Sequence, residues 1–94
     1  MEESINLLEL KISEIQPNPF QPRRYFDPTQ LEELAASIRE YGVMQPVLVR
    51  IVNGQYQLVS GERRFRASQL AGKETIPAMI SQLSDQEVAE LALI

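Results

Sequence analysis

The dipeptide Asn53-Gly54 is the feature that most constrains how this chain folds. It stands between two apolar runs, and both of its residues tolerate the positive φ angles of a two-residue hairpin turn. Such a turn also fixes the register of the strands beside it. The predicted pairs are Ile51 with Tyr56, Val49 with Leu58 and Val47 with Ser60. We expect this face of the hairpin to meet the core, and the opposite face, where Arg50 pairs with Gln57, to meet water.

Helix signals occur on both sides of the hairpin. Asp27 is a candidate N-cap, Pro28 occupies the first helical position, and Gly42 supplies a stop. The apolar stripe of this first helix consists of Leu31, Leu34, Ala35, Ile38 and Tyr41. A second helix is predicted to begin at Gly61 and to end at Gly72.

Two further strands are predicted near the ends of the chain. Residues Leu7 to Ile12 alternate in polarity and indicate a first strand. Residues Ile76 to Ser81 indicate a short later strand, in which Pro77 favours an edge or strand-start position. Between the first strand and the first helix, residues 16–28 hold four prolines and are predicted to form a stiff connector.

These elements predict one small α/β domain over residues 1–94, with about four strands and three helices. The last helix opens on Ser84-Asp85-Gln86-Glu87, which has the pattern of a capping box. The helical pattern is still running at Ile94, where the sequence stops. We therefore expect the chain to be part of a longer protein.

The composition excludes several kinds of chemistry. The sequence has no cysteine and no histidine, so disulfides, thiolate metal sites and histidine bases are absent from it. The formal net charge is −4, whereas domains that grip nucleic acid by themselves usually carry a basic face. An anion would have to be held by a local cluster of cations. No apolar run reaches the length of a membrane helix, and the acidic N-terminus is unlike a secretory signal.

The strongest candidate for such a cluster is Gly61-Glu62-Arg63-Arg64-Phe65-Arg66-Ala67, at the predicted turn from strand to helix. The first turn of a helix has N–H groups without partners and a positive dipole end. Three arginines there are unfavourable unless a polyanion compensates them, and phosphate oxygens accept forked guanidinium hydrogen bonds. The alternative is an exposed basic turn that Glu62 and other carboxylates neutralise.

A second basic cluster, Gln21-Pro22-Arg23-Arg24, lies in the proline-rich connector. Its functional interpretation is a preorganised arm, because nearby prolines reduce the entropy that is lost on ordering. Gln21 and Arg23 would then face the Gly61 turn. The alternative is a solvated loop.

Three segments occur in this order along the sequence: Asn18-Pro19-Phe20-Gln21-Pro22-Arg23, Gly42-Val43-Met44-Gln45-Pro46-Val47 and Gly61-Glu62-Arg63-Arg64-Phe65-Arg66-Ala67. Together they resemble the N-terminal domain of the ParB family of chromosome and plasmid partition proteins, which includes the nucleoid occlusion protein. The resemblance covers nearly the whole chain, from about Leu10 to Ile94, and implies a fold similar to that of sulfiredoxin.

The resemblance implies a nucleotide switch that binds CTP with Mg²⁺ and, in the full-length protein, hydrolyses CTP slowly. Glu62 matches the acidic position implicated in hydrolysis, and Gln21 is a second candidate catalytic residue. The implied nucleotide-binding residues are Gln21, Arg23, Gly61, Glu62, Arg63, Arg64 and Arg66. The resemblance implies metal ligands in a motif after Ile94 and none within this chain.

The same resemblance implies partners and a location. Nucleotide binding would drive self-association of N-terminal domains, which closes the dimer as a clamp on DNA. DNA would be read by regions outside residues 1–94, and a ParA-type ATPase is a further implied partner. These roles belong to the nucleoid in the cytoplasm, and no membrane segment is evident.

Other functions compete with the nucleotide switch. A nucleoid occlusion protein would share the same N-terminal motifs. A sulfiredoxin-type enzyme would need a cysteine at the Gly61 turn, where this chain has Glu62. A direct DNA-binding domain is disfavoured by the acidic balance, and a ligand-free interaction domain would show no response to nucleotides.

Overall fold

The computed structural model describes residues 7–19 and 26–92, which contain five β-strands and three α-helices. The strands are β1 (Leu7–Lys11), β2 (Ile15–Gln16), β3 (Val47–Val52), β4 (Gln55–Ser60) and β5 (Thr75–Ile80). The helices are α1 (Pro28–Tyr41), α2 (Glu62–Leu70) and α3 (Asp85–Ala92), and a short 3-10 turn covers Ile12–Glu14.

The five strands form one mixed sheet in the order β1-β5-β3-β4-β2. β1 pairs antiparallel with β5 and β3 antiparallel with β4, whereas the β3–β5 and β2–β4 pairs are parallel. The predicted α/β class is confirmed, with one strand more than expected. That strand, β2, is only two residues long and borders the proline-rich connector, so it shows no periodic pattern.

The hairpin turn forms as predicted, with φ angles of 52° at Asn53 and 76° at Gly54. The pairs Ile51–Tyr56 and Val49–Leu58 are confirmed. The pair Val47–Ser60 is wrong, because a register shift between Leu48 and Val49 brings Leu48 opposite Ser60. The bulge adds one residue on β4 just before the Gly61 turn. The Asn53-Gly54 turn lies at the other end of the hairpin, so it could not predict this bulge.

The expected solvent-facing pair on the hairpin is also wrong. The side chain of Arg50 is 4% exposed, because α3 packs over this side of the hairpin. Its guanidinium donates to Gln57 Oε1 at 2.8 Å, to the Leu83 carbonyl at 2.9 Å and to Asp85 Oδ1 at 2.7 Å. The sheet is therefore covered on both faces, which the hairpin sequence alone does not indicate.

The later strand also differs from its prediction. β5 lies inside the sheet, between β1 and β3, and is not an edge strand. Pro77 is tolerated there because pairing with β3 begins only at the next residue, Ala78.

The helix ends follow the sequence closely. The Asp27 side chain accepts a hydrogen bond from Thr29 N at 3.0 Å, and α1 ends at Gly42 with φ 79°. The capping box of α3 is formed in both directions, since Ser84 Oγ accepts from Glu87 N and Glu87 Oε1 accepts from Ser84 N.

The core is divided between the sheet and the two packed helices α1 and α2. The sheet cluster contains Val47, Val49, Leu58, Ile76 and Phe65 among its buried side chains. Ala35 and Ile38 of α1 pack against Ala67 of α2. The predicted apolar stripe of α1 does not extend to Tyr41, which is 67% exposed at the last turn of the helix. Together these contacts fix α2, and with it the arginine-rich turn, against the sheet.

Candidate functional site

Gly61 connects β4 directly to α2 through a left-handed backbone conformation, with φ 101° and ψ 29°. A Cβ atom at this position would lie 2.8 Å from Val47 Cγ1, closer than real side chains approach. The glycine therefore allows the turn to lie directly against β3, and it leaves the backbone open to close approach.

The backbone N–H groups of residues 62–64 follow this turn. The first hydrogen bond within the helix runs from Phe65 N to the Gly61 carbonyl at 2.9 Å. The three preceding N–H groups therefore have no partner within the helix, as at every helix start. They lie at the positive end of the α2 dipole, where an anion is favoured.

Glu62 is the carboxylate within this basic turn, and its side chain is only 8% exposed. Oε2 accepts a hydrogen bond from Arg66 Nε at 2.9 Å. Oε1 is buried and has no hydrogen-bond partner among the described residues. A buried carboxylate oxygen without a partner is unusual in a native structure, and it indicates that a donor or a cation belongs there.

The three arginines of the turn have different surroundings. Arg63 is exposed and makes no hydrogen bond or ion pair within the described part of the chain. Arg64 is partly buried beside Gly61, and its Nη1 donates to the Pro46 carbonyl at 2.9 Å. Arg66 pairs with Glu62, and its guanidinium carbon lies 4.6 Å from the centroid of the Phe26 ring. Of the three, Arg63 is thus the one whose guanidinium is fully available to a ligand.

The predicted arm residues Gln21 and Arg23 lie outside the described residues. Two described residues near the ends of this gap, Asn18 and Phe26, contact the region of the turn. Asn18 is buried and donates through Nδ2 to the carbonyl of Val59, two residues before Gly61, at 3.0 Å. Phe26 is buried under the guanidinium of Arg66.

Asn18 ties its own segment to the end of β4, just before the Gly61 turn, and no role for its side chain was predicted from the sequence. The dipeptide Asn18-Pro19 is a turn signal, and it indicates that the chain changes direction there. The long-range partner of Asn18, the Val59 carbonyl, is 41 residues away and could not be deduced from local pattern.

A separate open cleft of about 350 Å³ lies along β2 and the start of β4. Its lining is made of prolines, amide side chains, Val52 and Tyr56, and it includes no charged residue. A phosphate chain would find no cation there, so the cleft does not compete with the Gly61 turn as an anion site.

Two negative findings concern the described residues alone. No group of three or more acidic side chains lies close enough together to hold a metal ion. None of the helices in residues 7–19 and 26–92 has both the length and the apolar character needed to cross a membrane.

Fold and turn together define the class of this molecule: a small mixed-sheet α/β domain with an arginine-rich turn between a strand and a helix. Within that class, the chain belongs to the ParB N-terminal domain family, whose model matches residues 1–94.

Proteins of known name support the family assignment. The chain is 52% identical over 86 residues to a nucleoid occlusion protein of Halalkalibacterium halodurans, covering 92% of this chain and 30% of that protein. It is 50% identical over 93 residues to a probable chromosome-partitioning protein ParB of Helicobacter pylori, covering 99% of this chain and 32% of that protein. The chain thus spans about a third of the length of these relatives.

Solved structures give the same result for the fold. Truncated ParB of Caulobacter crescentus complexed with CTP-γ-S matches with a TM-score of 0.87 and 49% identity, over 95% of this chain and 51% of that one. ParB from the same organism complexed with the centromeric parS site matches with a TM-score of 0.80 and 44% identity, over 92% and 44%. Sulfiredoxin from Arabidopsis thaliana matches with a TM-score of 0.77 and 30% identity, over 92% and 96%. The expected similarity to the sulfiredoxin fold is confirmed.

Proposed function

We propose that this chain is the CTP-binding module of a chromosome-partition protein. The observation that carries the proposal is the Gly61 turn, where exposed Arg63, partly buried Arg64 and the helix N–H groups share one turn with Glu62, whose carboxylate oxygen Oε1 is buried and has no partner among the described residues. The Caulobacter ParB that binds CTP-γ-S has the same fold at 49% identity, which supports cytosine as the base.

The triphosphate is the part of the ligand that this turn suits best. Arg63 is exposed and can form two parallel hydrogen bonds to a phosphate. Arg64 lies beside Gly61 and is already oriented by the Pro46 carbonyl, so less side-chain entropy is lost when it binds. The N–H groups of residues 62–64 and the absence of a Cβ at Gly61 let a phosphate oxygen approach the backbone.

Gln21 and Arg23 complete the proposed nucleotide site as its second half. Asn18 is tied to the carbonyl of Val59, and three residues of chain span at most about 11 Å, which supports an approach of Gln21 to the turn. At the other end of the gap, the ring of Phe26 lies against the guanidinium of Arg66 on α2. Arg66 belongs to the site through its ion pair with Glu62.

Glu62 is the proposed catalytic residue, with Gln21 as the second candidate. The partnerless oxygen Oε1 is a hard ligand of the type that Mg²⁺ prefers, and it can equally orient a water molecule beside a phosphate. Magnesium is commonly bound through one or two carboxylates together with the phosphates of the substrate, so a single glutamate fits the ion. The proposal thus adds Glu62 to the metal ligands after Ile94 that the resemblance implies. When bound, Mg²⁺ would neutralise phosphate charge, and further ligands would come from residues after Ile94.

The wider role is proposed from the relatives. Nucleotide binding would drive self-association of these domains around DNA, with the DNA site read by regions outside residues 1–94. The Caulobacter ParB complex with parS supports a DNA partner, and a ParA-type ATPase is a further proposed one. A nucleoid occlusion protein is the second candidate, because one such protein is 52% identical to this chain.

A thermal-shift screen against the four nucleoside triphosphates with Mg²⁺ tests the proposed function. It should be run on the 94-residue chain and on a form extended by about 30 residues. CTP should raise the melting temperature of the extended form, because a ligand that binds only the native state stabilises it. Equal increases in melting temperature with all four nucleotides would show that the site does not select the base. No increase with any nucleotide would favour a ligand-free interaction domain.

A further inference from the structure

We infer that Arg66 positions Glu62 and influences the nucleotide only through that carboxylate. This inference rests on the proposed function and refines it, because it gives one of the three arginines of the turn a different task from the other two. Arg63 and Arg64 would contact phosphates, whereas Arg66 would hold the orientation of the buried carboxylate and offset its negative charge.

The geometry of the Glu62–Arg66 pair supports this division. The two residues are one helical turn apart, and Nε and Oε2 lie 2.9 Å from each other. The side chain of Glu62 is 8% exposed and that of Arg66 is 45% exposed, so the acid is buried while its cationic partner reaches solvent. With Oε2 held by Arg66, the second oxygen Oε1 has a fixed direction and no partner within the described ranges.

Phe26 contacts Arg66, the cation of the pair. Its buried ring lies 4.6 Å from the guanidinium carbon of Arg66, a distance at which a cation–π interaction is favourable. Phe26 immediately precedes Asp27, the N-cap of α1. The ring therefore links the entrance of α1 to the carboxylate on α2, and it restricts the rotamers of Arg66.

The pair also has an electrostatic consequence for an anionic ligand. A buried carboxylate without its arginine would repel a triphosphate a few ångströms away, and that repulsion is strong in a poorly solvated site. Arg66 removes most of this repulsion while leaving Oε1 available. If this is its task, the effect of losing Arg66 must disappear when Glu62 carries no charge.

A double-mutant cycle in the full-length protein tests this directly. The variants are Arg66→Met, Glu62→Gln and the double substitution, with Mg-CTP affinity measured by calorimetry. Arg66→Met alone should weaken CTP binding about tenfold. In the Glu62→Gln background the same substitution should change the affinity less than twofold. An equal loss in both backgrounds would show that Arg66 contacts the nucleotide itself, and no loss in either would remove Arg66 from the site.

Two further variants and an unfolding measurement separate positioning from general stability. Arg39→Met removes an exposed arginine of α1 that pairs with Glu32 and donates to the carbonyl of Leu70, at the end of α2 opposite the Gly61 turn, and it should leave CTP affinity unchanged. Phe26→Leu should weaken binding in the same direction as Arg66→Met, but less, and only while Glu62 is charged. Coupling between residues 62 and 66 that appears in urea unfolding but not in CTP affinity would overturn the inference. Failure of the wild-type protein to bind CTP would instead overturn the proposed function.

Discussion

At the scale of single residues, Gly61 shows how one backbone position determines the shape of a site. Its left-handed conformation disfavours other residues, and a methyl group added there would lie 2.8 Å from Val47 Cγ1. Gly72, at the end of α2, has a similar φ of 78° but nothing within 4 Å. The two glycines therefore differ in steric contact and not in φ alone.

We predict that Gly61→Ala lowers the free energy of unfolding by at least about 1 kcal/mol more than Gly72→Ala does. Both variants place alanine at positive φ, which costs about 1–2 kcal/mol, but only the first also forces a side chain against β3. Urea unfolding of the two variants measures the difference. Equal losses would mean that the turn moves away from Val47 without cost.

At the scale of elements, α3 is held to the sheet by one buried cation. Arg50 reaches from β3 to the Leu83 carbonyl and to Asp85, in the first turn of α3. Val88 of the same helix is fully buried. This attachment fixes the direction of α3 against the sheet.

We predict that Asp85→Ala destabilises the domain by about 1.5–3 kcal/mol, because the buried guanidinium of Arg50 loses its charged partner. The matched control is Glu32→Ala, which removes an exposed partner of Arg39 at 3.6 Å and should cost less than about 0.5 kcal/mol. Thermal or urea unfolding distinguishes the two. A loss for Asp85→Ala as small as that of the control would show that water replaces the carboxylate.

Local sequence signals predicted most helices and strands correctly. The features that they did not predict depend on contacts between residues far apart in the sequence. The Asn53-Gly54 turn, the Asp27 cap and the Ser84 capping box depend on residues within a few positions of each other, so the sequence specifies them. The burial of Arg50 depends on α3, whose contacts lie 33 to 35 residues away. The bulge and β2 likewise depend on pairing between distant segments.

In the candidate site, too, local features could be predicted from the sequence and contacts between elements could not. The spacing of Glu62 and Arg66 by four residues is typical of a helical ion pair, and the position of the turn follows from its residues alone. The contacts of Arg64 with the Pro46 carbonyl and of Arg66 with Phe26 join different elements. They could only be recognised once the fold was known.

At the scale of the whole molecule, the net charge of −4 gives the site no help in attracting an anion. Binding must come from the local cations and from whatever neutralises the phosphates. The described residues contain no cluster of acidic side chains that could hold a metal ion alone. The chain also covers only about a third of its curated relatives.

We therefore predict that adding the residues that follow Ile94 strengthens Mg-CTP binding at least about tenfold, or ~1.4 kcal/mol. The gain should depend on the metal, because the added residues are proposed to contribute its ligands. Calorimetry of the 94-residue chain and the extended form, each with and without Mg²⁺, measures both effects. Equal affinity of the two forms would contradict a contribution from beyond Ile94.

Binding of the triphosphate at the Gly61 turn can be tested most simply at Arg63. Its side chain is exposed and makes no hydrogen bond or ion pair with other described residues, so Arg63→Ala should leave the stability of the fold within about 0.5 kcal/mol of wild type. The decisive measurement is a calorimetric titration of Mg-CTP into the extended wild-type protein and its Arg63→Ala variant. We predict saturable binding to the first and none to the second, whereas wild-type affinity in a folded Arg63→Ala protein would show that the triphosphate does not bind at this turn.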